Sequence, residues 1–426
     1  MVKIVNDFTL EYLELNSTLN DFYNLDLFKH LNHILPNIYS VEFNNKSKTL
    51  YNKYLDKLKR KKKLNEIELE LKYYIEMKLE YFNYNFELIP INHLSNIYNL
   101  YYEMSSGNYV YKFNKKKDYN DFINRLKSFD SITTSIINKF KEGIKKKYTL
   151  PKNSAKQLIE QMENMIKSDY YKNKNIKVKL AYDFNKEVQK YLIKNIEKVL
   201  DFLKKQYLPK TRKTIGHIYL PGGKKEYEYL VRRNLTLKKV DIIQIYNYGI
   251  SEIRRIRNEM KKILVFQGFE GTIEDYYTYL HSKKEQSFKN ESEIINYYNN
   301  LQKSVIKEIL NKQFTNSIGN KAICKIKKVP KFNQKFSSEA YYITGDLSGK
   351  REGIFYLNTY DLKHQKKYNA LSLFLHEAIP GHHFHITSIN LNENIPLFKK
   401  ITNNNAYYEG WGTYCENLYD YKLDAS

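Results

Sequence analysis

The chain has 426 residues, of which 42% are hydrophobic and 15% aromatic, so it has enough apolar surface to bury a large core. Its formal net charge is +24, but the excess is mostly Lys spread along the chain, whereas nucleic-acid readers cluster Arg on one surface. Its two Cys residues lie far apart in sequence and exclude a disulfide framework or a Cys-rich zinc knuckle. We therefore expect a folded protein without a nucleic-acid partner.

The N-terminal segment lacks the features of a targeting sequence. Asp7, Glu11 and Glu14 interrupt its apolar residues, so it does not read as a signal peptide. No run of about twenty apolar residues occurs, which argues against a membrane-spanning helix. These features predict a soluble protein of the cytoplasm, or of another intracellular compartment, with no membrane partner.

Residues 1–85 are charged and rich in Tyr and Asn, and they predict an N-terminal arm of surface helices. One helix is marked by apolar residues at helical spacing, namely Leu64, Ile67, Leu71, Ile75 and Leu79. Pro90 follows the arm, and we place a second unit at residues 86–426.

The middle of the chain predicts further helices and one short extended segment. Ile253, Ile256 and Ile263 lie on one face of a predicted helix, with Arg residues on its other faces. The segment Ile215 to Leu220, bracketed by Pro residues, predicts a strand or hairpin arm. Ile354 to Asn358 predicts another short strand, which we place at a sheet edge beside a site. Since strands are few, the predicted fold class is mainly α.

Four His and one Glu lie within the ten residues from His376 to His385. Zinc favours imidazole nitrogen and carboxylate oxygen, and a catalytic zinc keeps three protein ligands and leaves one position for water. His376 and Glu377 begin the cluster in the order of the zincin motif, where the Glu is the general base. The alternative is a pair of core helices whose polar side chains are satisfied, but burying this many polar groups without a metal is costly.

The second His of the cluster does not have the usual spacing. In a straight helix His382 would lie about 120° away from His376 around the axis, and His383 about 10 Å further along it. Pro380 breaks the helical hydrogen-bond ladder and Gly381 tolerates unusual dihedral angles, so we expect a kink that turns one His back. We favour His382 as the ligand, with His383 as the alternative.

The third ligand is expected on a later helix, where Glu409 begins the sequence Glu-Gly-Trp. Glu416 follows two helical turns later on the same face, where its carboxylate can accept the outer N–H of a ligating His. The predicted site therefore holds one zinc ion on His376, His382 and Glu409.

These residues resemble the domain-of-unknown-function family 885, a family of zinc-peptidase-like proteins marked by His-Glu-x-x-Pro-Gly-His-His and a following Glu-Gly-Trp helix. Both marks are intact from His376 to His383 and from Glu409 to Trp411. Other segments also resemble the family, among them Tyr229 to Arg232 and Arg351 to Tyr360.

The resemblance implies a helical, gluzincin-like catalytic body with a deep cleft and zinc at its floor, here at residues 86–426. It also implies that Asn358 and Tyr360 bind the substrate backbone. The family usually continues beyond the Glu-Gly-Trp helix with helices that close the cleft, whereas this sequence ends at Ser426. We therefore expect a form that lacks the C-terminal part of the family domain.

The predicted function is a zinc-dependent hydrolase that cleaves peptides, with Glu377 as the general base. An impaired remnant that serves as a binding or structural module is the alternative. The third possibility, nucleic-acid binding through the Lys excess, predicts steep salt dependence and no metal requirement.

Overall fold

The computed structural model describes residues 3–174, 180–314, 318, 321, 323–402 and 404–418. The α-helices, in chain order, are α1 Lys3–Leu15, α2 Leu19–Tyr23, α3 Val41–Lys59, α4 Glu66–Tyr81, α5 Ile97–Ser105, α6 Lys116–Lys127, α7 Phe129–Lys145, α8 Lys152–Lys167, α9 Leu180–Val188, α10 Lys194–Phe202, α11 Gly223–Leu235, α12 Ile242–Phe266, α13 Ile273–Ser282, α14 Glu291–Val305, α15 Asn311–Gln313, α16 Lys367–Glu377, α17 His382–Leu391, α18 Leu397–Ile401 and α19 Asn405–Glu416. The strands are β1 Lys325–Lys328, β2 Ala340–Ile343 and β3 Ile354–Leu357. The prediction of a mainly α fold with a small β element is confirmed.

The N-terminal helices form where local capping and an apolar face agree. Helix α4 begins with a capping box in which the Asn65 side chain accepts from Glu68 N and the Glu68 carboxylate accepts from Asn65 N. Its buried face packs with Phe8 of α1 and Tyr54 of α3. Phe398 of α18 completes this core, which joins the beginning of the chain to the region after α17. The boundary near residue 85 stays a prediction.

Helices α5–α10 surround the largest core, in which aromatic rings predominate. Phe122 and Phe184 each contact several rings edge-on or tilted, the geometry that the ring quadrupoles favour. The buried Arg125 guanidinium of α6 donates to the Asp21 carboxylate at 2.5 Å and so ties α2 to this core. These contacts make α5–α10 one packed helical layer.

The three strands form one mixed sheet in the order β1-β3-β2. β3 pairs parallel with β1 and antiparallel with β2, and its residues Phe355, Tyr356 and Leu357 are buried. The strand that we predicted at Ile354 to Asn358 therefore exists but lies in the middle of the sheet and not at its edge, because both of its backbone edges are paired. β2 is an edge strand, and it packs beside α16.

A strand or hairpin arm was predicted at Ile215 to Leu220, and this prediction is wrong. The segment contains a short 3-10 helix, His217–Tyr219, instead. The Arg212 guanidinium donates to the carbonyl oxygens of Thr214 and Gly216, which folds the backbone back on itself. The β-branched and aromatic residues of the segment remain largely exposed. Strand propensity depends on packing against neighbouring strands, and the described residues place no strand beside this segment.

Helix α12 confirms the predicted helix, but its apolar face is not buried. Ile253, Ile256 and Ile263 are all exposed, and among the described residues of this helix only Leu264 is buried. No helix in the described part of the chain is long and apolar enough to span a membrane.

Candidate metal centre

The His-rich segment is divided between two helices. α16 ends at Glu377 and α17 begins at His382, with the Ile379–Pro380 peptide bond in the cis form between them. A Cβ atom on Gly381 would lie 1.8 Å from the His376 carbonyl oxygen, so the backbone fits there only without a side chain. The break predicted at Pro380 and Gly381 is thus present, and it sets α17 at a new angle to α16.

This break brings together the three residues that we predicted as ligands. His376 Nε2 lies 3.5 Å from Glu409 Oε2, and His382 Nε2 lies 3.8 Å from the same oxygen. One ligand atom from each of the three residues lies within 4.8 Å of the other two. Because zinc at about 2.1 Å from each of its ligands keeps tetrahedral ligand atoms about 3.4 Å apart, small side-chain movements suffice for binding.

A carboxylate behind His376 fixes the orientation of its ring. Glu416 Oε1 lies 2.8 Å from His376 Nδ1, and the other Glu416 oxygen accepts from the Ser372 hydroxyl at 2.8 Å. A carboxylate accepts only, so Nδ1 carries the proton and the Nε2 lone pair faces Glu409. Glu416 thus contacts the outer nitrogen of His376, a candidate ligand, and its role behind a metal ligand stays a prediction.

Helix α19 packs closely on α16, because Gly412 faces the His376 ring. A Cβ atom at Gly412 would lie 2.7 to 2.9 Å from three atoms of this ring, whereas one at Gly410 would have no atom within 4 Å. The absence of a side chain at Gly412 allows Glu409 and Glu416 to reach His376 from one helix. Only the structure reveals this requirement.

His382 is held as a buried, neutral imidazole. Its side chain is 5% exposed, and its ring stacks on Tyr408 with centroids 3.9 Å apart. Burial, reinforced by the neighbouring His376 and His385, lowers the pKa of His382 to about 3. Its Nδ1 has no hydrogen-bond partner among the residues that the structure describes. A neutral imidazole is the form of His that binds metals.

Glu377 lies at the end of α16, beside these ligands. Burial raises the pKa of its carboxyl to about 7; His376 opposes this increase and Glu409 adds to it. The backbone N–H of Tyr342 in β2 also faces the Glu377 carboxyl and lowers its pKa. A carboxyl group with a pKa near neutrality can both accept and return a proton.

His383 faces away from the three candidate ligands. Its Nδ1 lies 3.0 Å from the Tyr342 hydroxyl, and its Nε2 lies 3.0 Å from the Lys321 carbonyl oxygen. Of the two alternatives, the structure brings His382 and not His383 to Glu409.

Asn358 and Tyr360 lie further along the sheet. The Asn358 side chain donates to the carbonyl oxygens of Gln334, Ser337 and Ser338, and its backbone N–H donates to Glu339, three residues before Tyr342. Tyr360 is 60% exposed. Their role in substrate binding stays a prediction.

Two side chains beside the candidate ligands, His385 and Tyr408, were not among the predicted site residues. The Tyr408 ring covers His382, and its place directly before Glu409 is the sequence signal for this contact. His385 is buried against Tyr407 and Trp411, and neither of its ring nitrogens has a partner in the described part of the chain.

Residues 24–421 match the family model described as "Bacterial protein of unknown function (DUF885)". The chain belongs to this family. Its structure is similar to that of a protein titled "the putative lipoprotein from Colwellia psychrerythraea", with a TM-score of 0.81 and 18% sequence identity over 98% of this chain and 77% of that chain. At this identity the likeness shows a shared fold. No curated protein matches the chain.

Proposed function

We propose that this family member is a zinc-dependent hydrolase that cleaves peptide bonds. The observation that carries the proposal is the convergence of His376, His382 and Glu409 within 4.8 Å of one another, with Glu377 adjacent. Two imidazoles and one carboxylate form a common ligand set of catalytic zinc. The burial of His382 and the hydrogen bond between His376 and Glu416 support the same ligands.

A zinc ion held by these three residues would supply Lewis acidity and a lowered water pKa. Glu377 then accepts a proton from the attacking water and returns it to the leaving amine. Its raised pKa, about 7, suits both transfers near neutral pH.

The edge strand β2 offers a place for the substrate backbone. Its pairing with β3 leaves the opposite edge without a strand partner among the described residues, and Tyr342 of this strand lies beside Glu377. An extended peptide can add to such an edge through main-chain hydrogen bonds. This arrangement favours a peptide over a small ester or a sugar as the substrate.

A binding module without catalysis remains the second candidate function. The observation that favours it is the exposure of Glu409, whose side chain is 61% exposed and therefore not held as firmly as the two His ligands. A binding module of this kind predicts that peptides bind without being cleaved.

The experiment combines metal content with peptide hydrolysis. We expect about one zinc per chain by mass spectrometry, and its loss in His376→Ala and Glu409→Ala. In Glu377→Gln we expect zinc to be retained and hydrolysis of a peptide library to fall by about 10²–10⁴-fold, the usual contribution of a general base. Peptide binding without cleavage by the zinc-loaded protein would instead support the binding module.

We propose that the protein is located inside the cell. Cys324 and Cys415 are both buried and free, as is usual in a reducing compartment. The similar structure is titled a lipoprotein, which suggests another location for that protein. Fractionation of cells that carry the native gene tests the proposal, and recovery in the membrane or extracellular fraction would contradict it.

A further inference from the structure

Two adjoining cavities lie beside helix α5, away from the candidate metal centre. Their volumes are about 360 and 320 Å³. The residues that line both cavities are His93, Leu94, Asn99, Glu103 and Tyr109. Asn99 and Glu103 are one helical turn apart on α5 and thus share a face. The second cavity extends to Tyr341 of the edge strand β2.

Glu103 has a buried carboxyl group that the fold does not use. The residue is only 6% exposed, and its carboxyl has neither a hydrogen-bond donor nor a cationic partner among the described residues. Burial alone raises the pKa of this carboxyl to about 8. At this pKa the free carboxyl is mostly protonated near neutral pH, and a bound cation would favour its charged form.

Two further polar atoms beside Glu103 also lack partners. His93 Nδ1 and Asn99 Oδ1 are buried and accept no hydrogen bond within the part of the chain that the structure describes. Burial lowers the pKa of His93, which favours its neutral form with one nitrogen free to accept. A cation that carries several N–H groups would find three acceptors here. It would favour the charged form of the Glu103 carboxyl, and His93 Nδ1 and Asn99 Oδ1 have no other partner among the described residues.

The walls of the cavities favour an organic cation over a metal ion. The rings of Tyr109 and Tyr341 lie near Glu103, and its charge contributes to the raised pKa of both. Aromatic faces attract ammonium and guanidinium groups. The chain as a whole has a net charge of +24, so a cationic ligand needs a local acidic site of this kind.

The position of Tyr341 connects the cavities to the candidate metal centre. Neighbouring side chains of a strand point to opposite faces, so Tyr341 faces the cavities while Tyr342 faces the other side of the sheet, where it contacts His383. The backbone of the same strand lies beside Glu377. A peptide bound along β2 would therefore pass both features.

We propose that Glu103, with Asn99 and His93, forms a subsite for the ammonium or guanidinium group of a bound peptide. The choice of a peptide as the ligand rests on the proposed function. The group comes either from a Lys or Arg side chain or from the N-terminal amine of the peptide.

The test measures binding in the Glu377→Gln protein by calorimetry, so that cleavage does not interfere. Three peptides of equal length are compared: an N-acetylated peptide with one Lys, the same peptide with norleucine in its place, and the norleucine peptide with a free N-terminus. We expect the first or the third to bind at least about tenfold more tightly than the second, since a charged hydrogen-bonded group contributes about 1.5–3 kcal/mol. Which of the two binds more tightly identifies the source of the cation.

Glu103→Gln preserves the shape of the side chain and should reduce the preference to less than about twofold. Glu270→Gln, a change at an exposed carboxylate between α12 and α13, should leave it unchanged. A competition measurement needs no further variant: n-butylamine should compete with the preferred peptide for binding.

Equal binding of the three peptides, a preference retained in Glu103→Gln, or no binding of either the peptides or n-butylamine would each overturn the subsite. Absence of hydrolysis by the unmodified protein would contradict the proposed peptidase but not this preference. The two proposals therefore fail separately.

Discussion

At the scale of single residues, the candidate metal centre depends on partners that set the state of each side chain. His376 is oriented by Glu416, His382 is kept neutral by burial, and Glu377 has its pKa raised toward neutrality. The sequence shows which residue types could bind a metal, but it does not show the orientation or the protonation state of each side chain. The hydrogen bond from His376 to Glu416 is the most direct to test.

We expect Glu416→Gln to weaken zinc affinity by about 10–100-fold, because removing the carboxylate behind a ligating His has effects of this size. The neutral amide no longer fixes the protonated nitrogen of His376 with the same strength. Zinc titration against a competing chelator measures the change. Glu393→Gln, at an exposed position after α17, is the control. An unchanged affinity in Glu416→Gln would show that Glu416 does not act through His376.

At the scale of secondary-structure elements, two glycines allow the helices to meet. Gly381 lets α17 begin against the end of α16, and Gly412 lets α19 approach the His376 ring. The sequence motifs contain both glycines, but the sequence does not show which atoms a side chain at either position would contact. Helix α19 offers a matched pair of glycines for a test.

Gly412→Ala should lose most of its zinc binding, since the added Cβ would lie 2.7 Å from a ring atom of His376 and would displace it. Gly410→Ala in the same helix meets nothing within 4 Å and should retain zinc. It should also gain about 0.5–1 kcal/mol of stability, because Ala favours the helix over Gly. Metal content and thermal unfolding of the two variants provide the comparison. Equal zinc loss in both would indicate a general weakness of α19.

At the scale of the whole molecule, the candidate ligands lie on helices that pack against different parts of the fold. α16 packs on the core that contains Phe355 and Phe374, while α19 also contacts α11. A metal ion bound by both helices would therefore stabilise the native arrangement of these parts, because it binds the folded chain and not the unfolded one.

Zinc at a hundred times its dissociation constant should stabilise the protein by about 2.7 kcal/mol and raise its unfolding temperature. The increase should vanish in His376→Ala. Differential scanning calorimetry with and without zinc measures it, and magnesium serves as a control because it prefers oxygen ligands. The same increase with magnesium, or in the variant, would place the stabilising ion elsewhere.

The sequence by itself determined the class of the fold, the helices with strong periodicity, the break at Pro380 and Gly381, and the candidate metal centre apart from the choice between His382 and His383. Each of these follows from local chemistry: side-chain spacing, the missing N–H of Pro, and the preference of zinc for imidazole and carboxylate.

Only the tertiary structure decided between His382 and His383, placed β3 in the middle of the sheet, and left the apolar face of α12 exposed. It also placed the unpaired Glu103 in a cavity and replaced the expected strand at Ile215 to Leu220 with a 3-10 helix. These outcomes depend on which surfaces meet across long stretches of chain, and such contacts are not encoded in the pattern of any single segment.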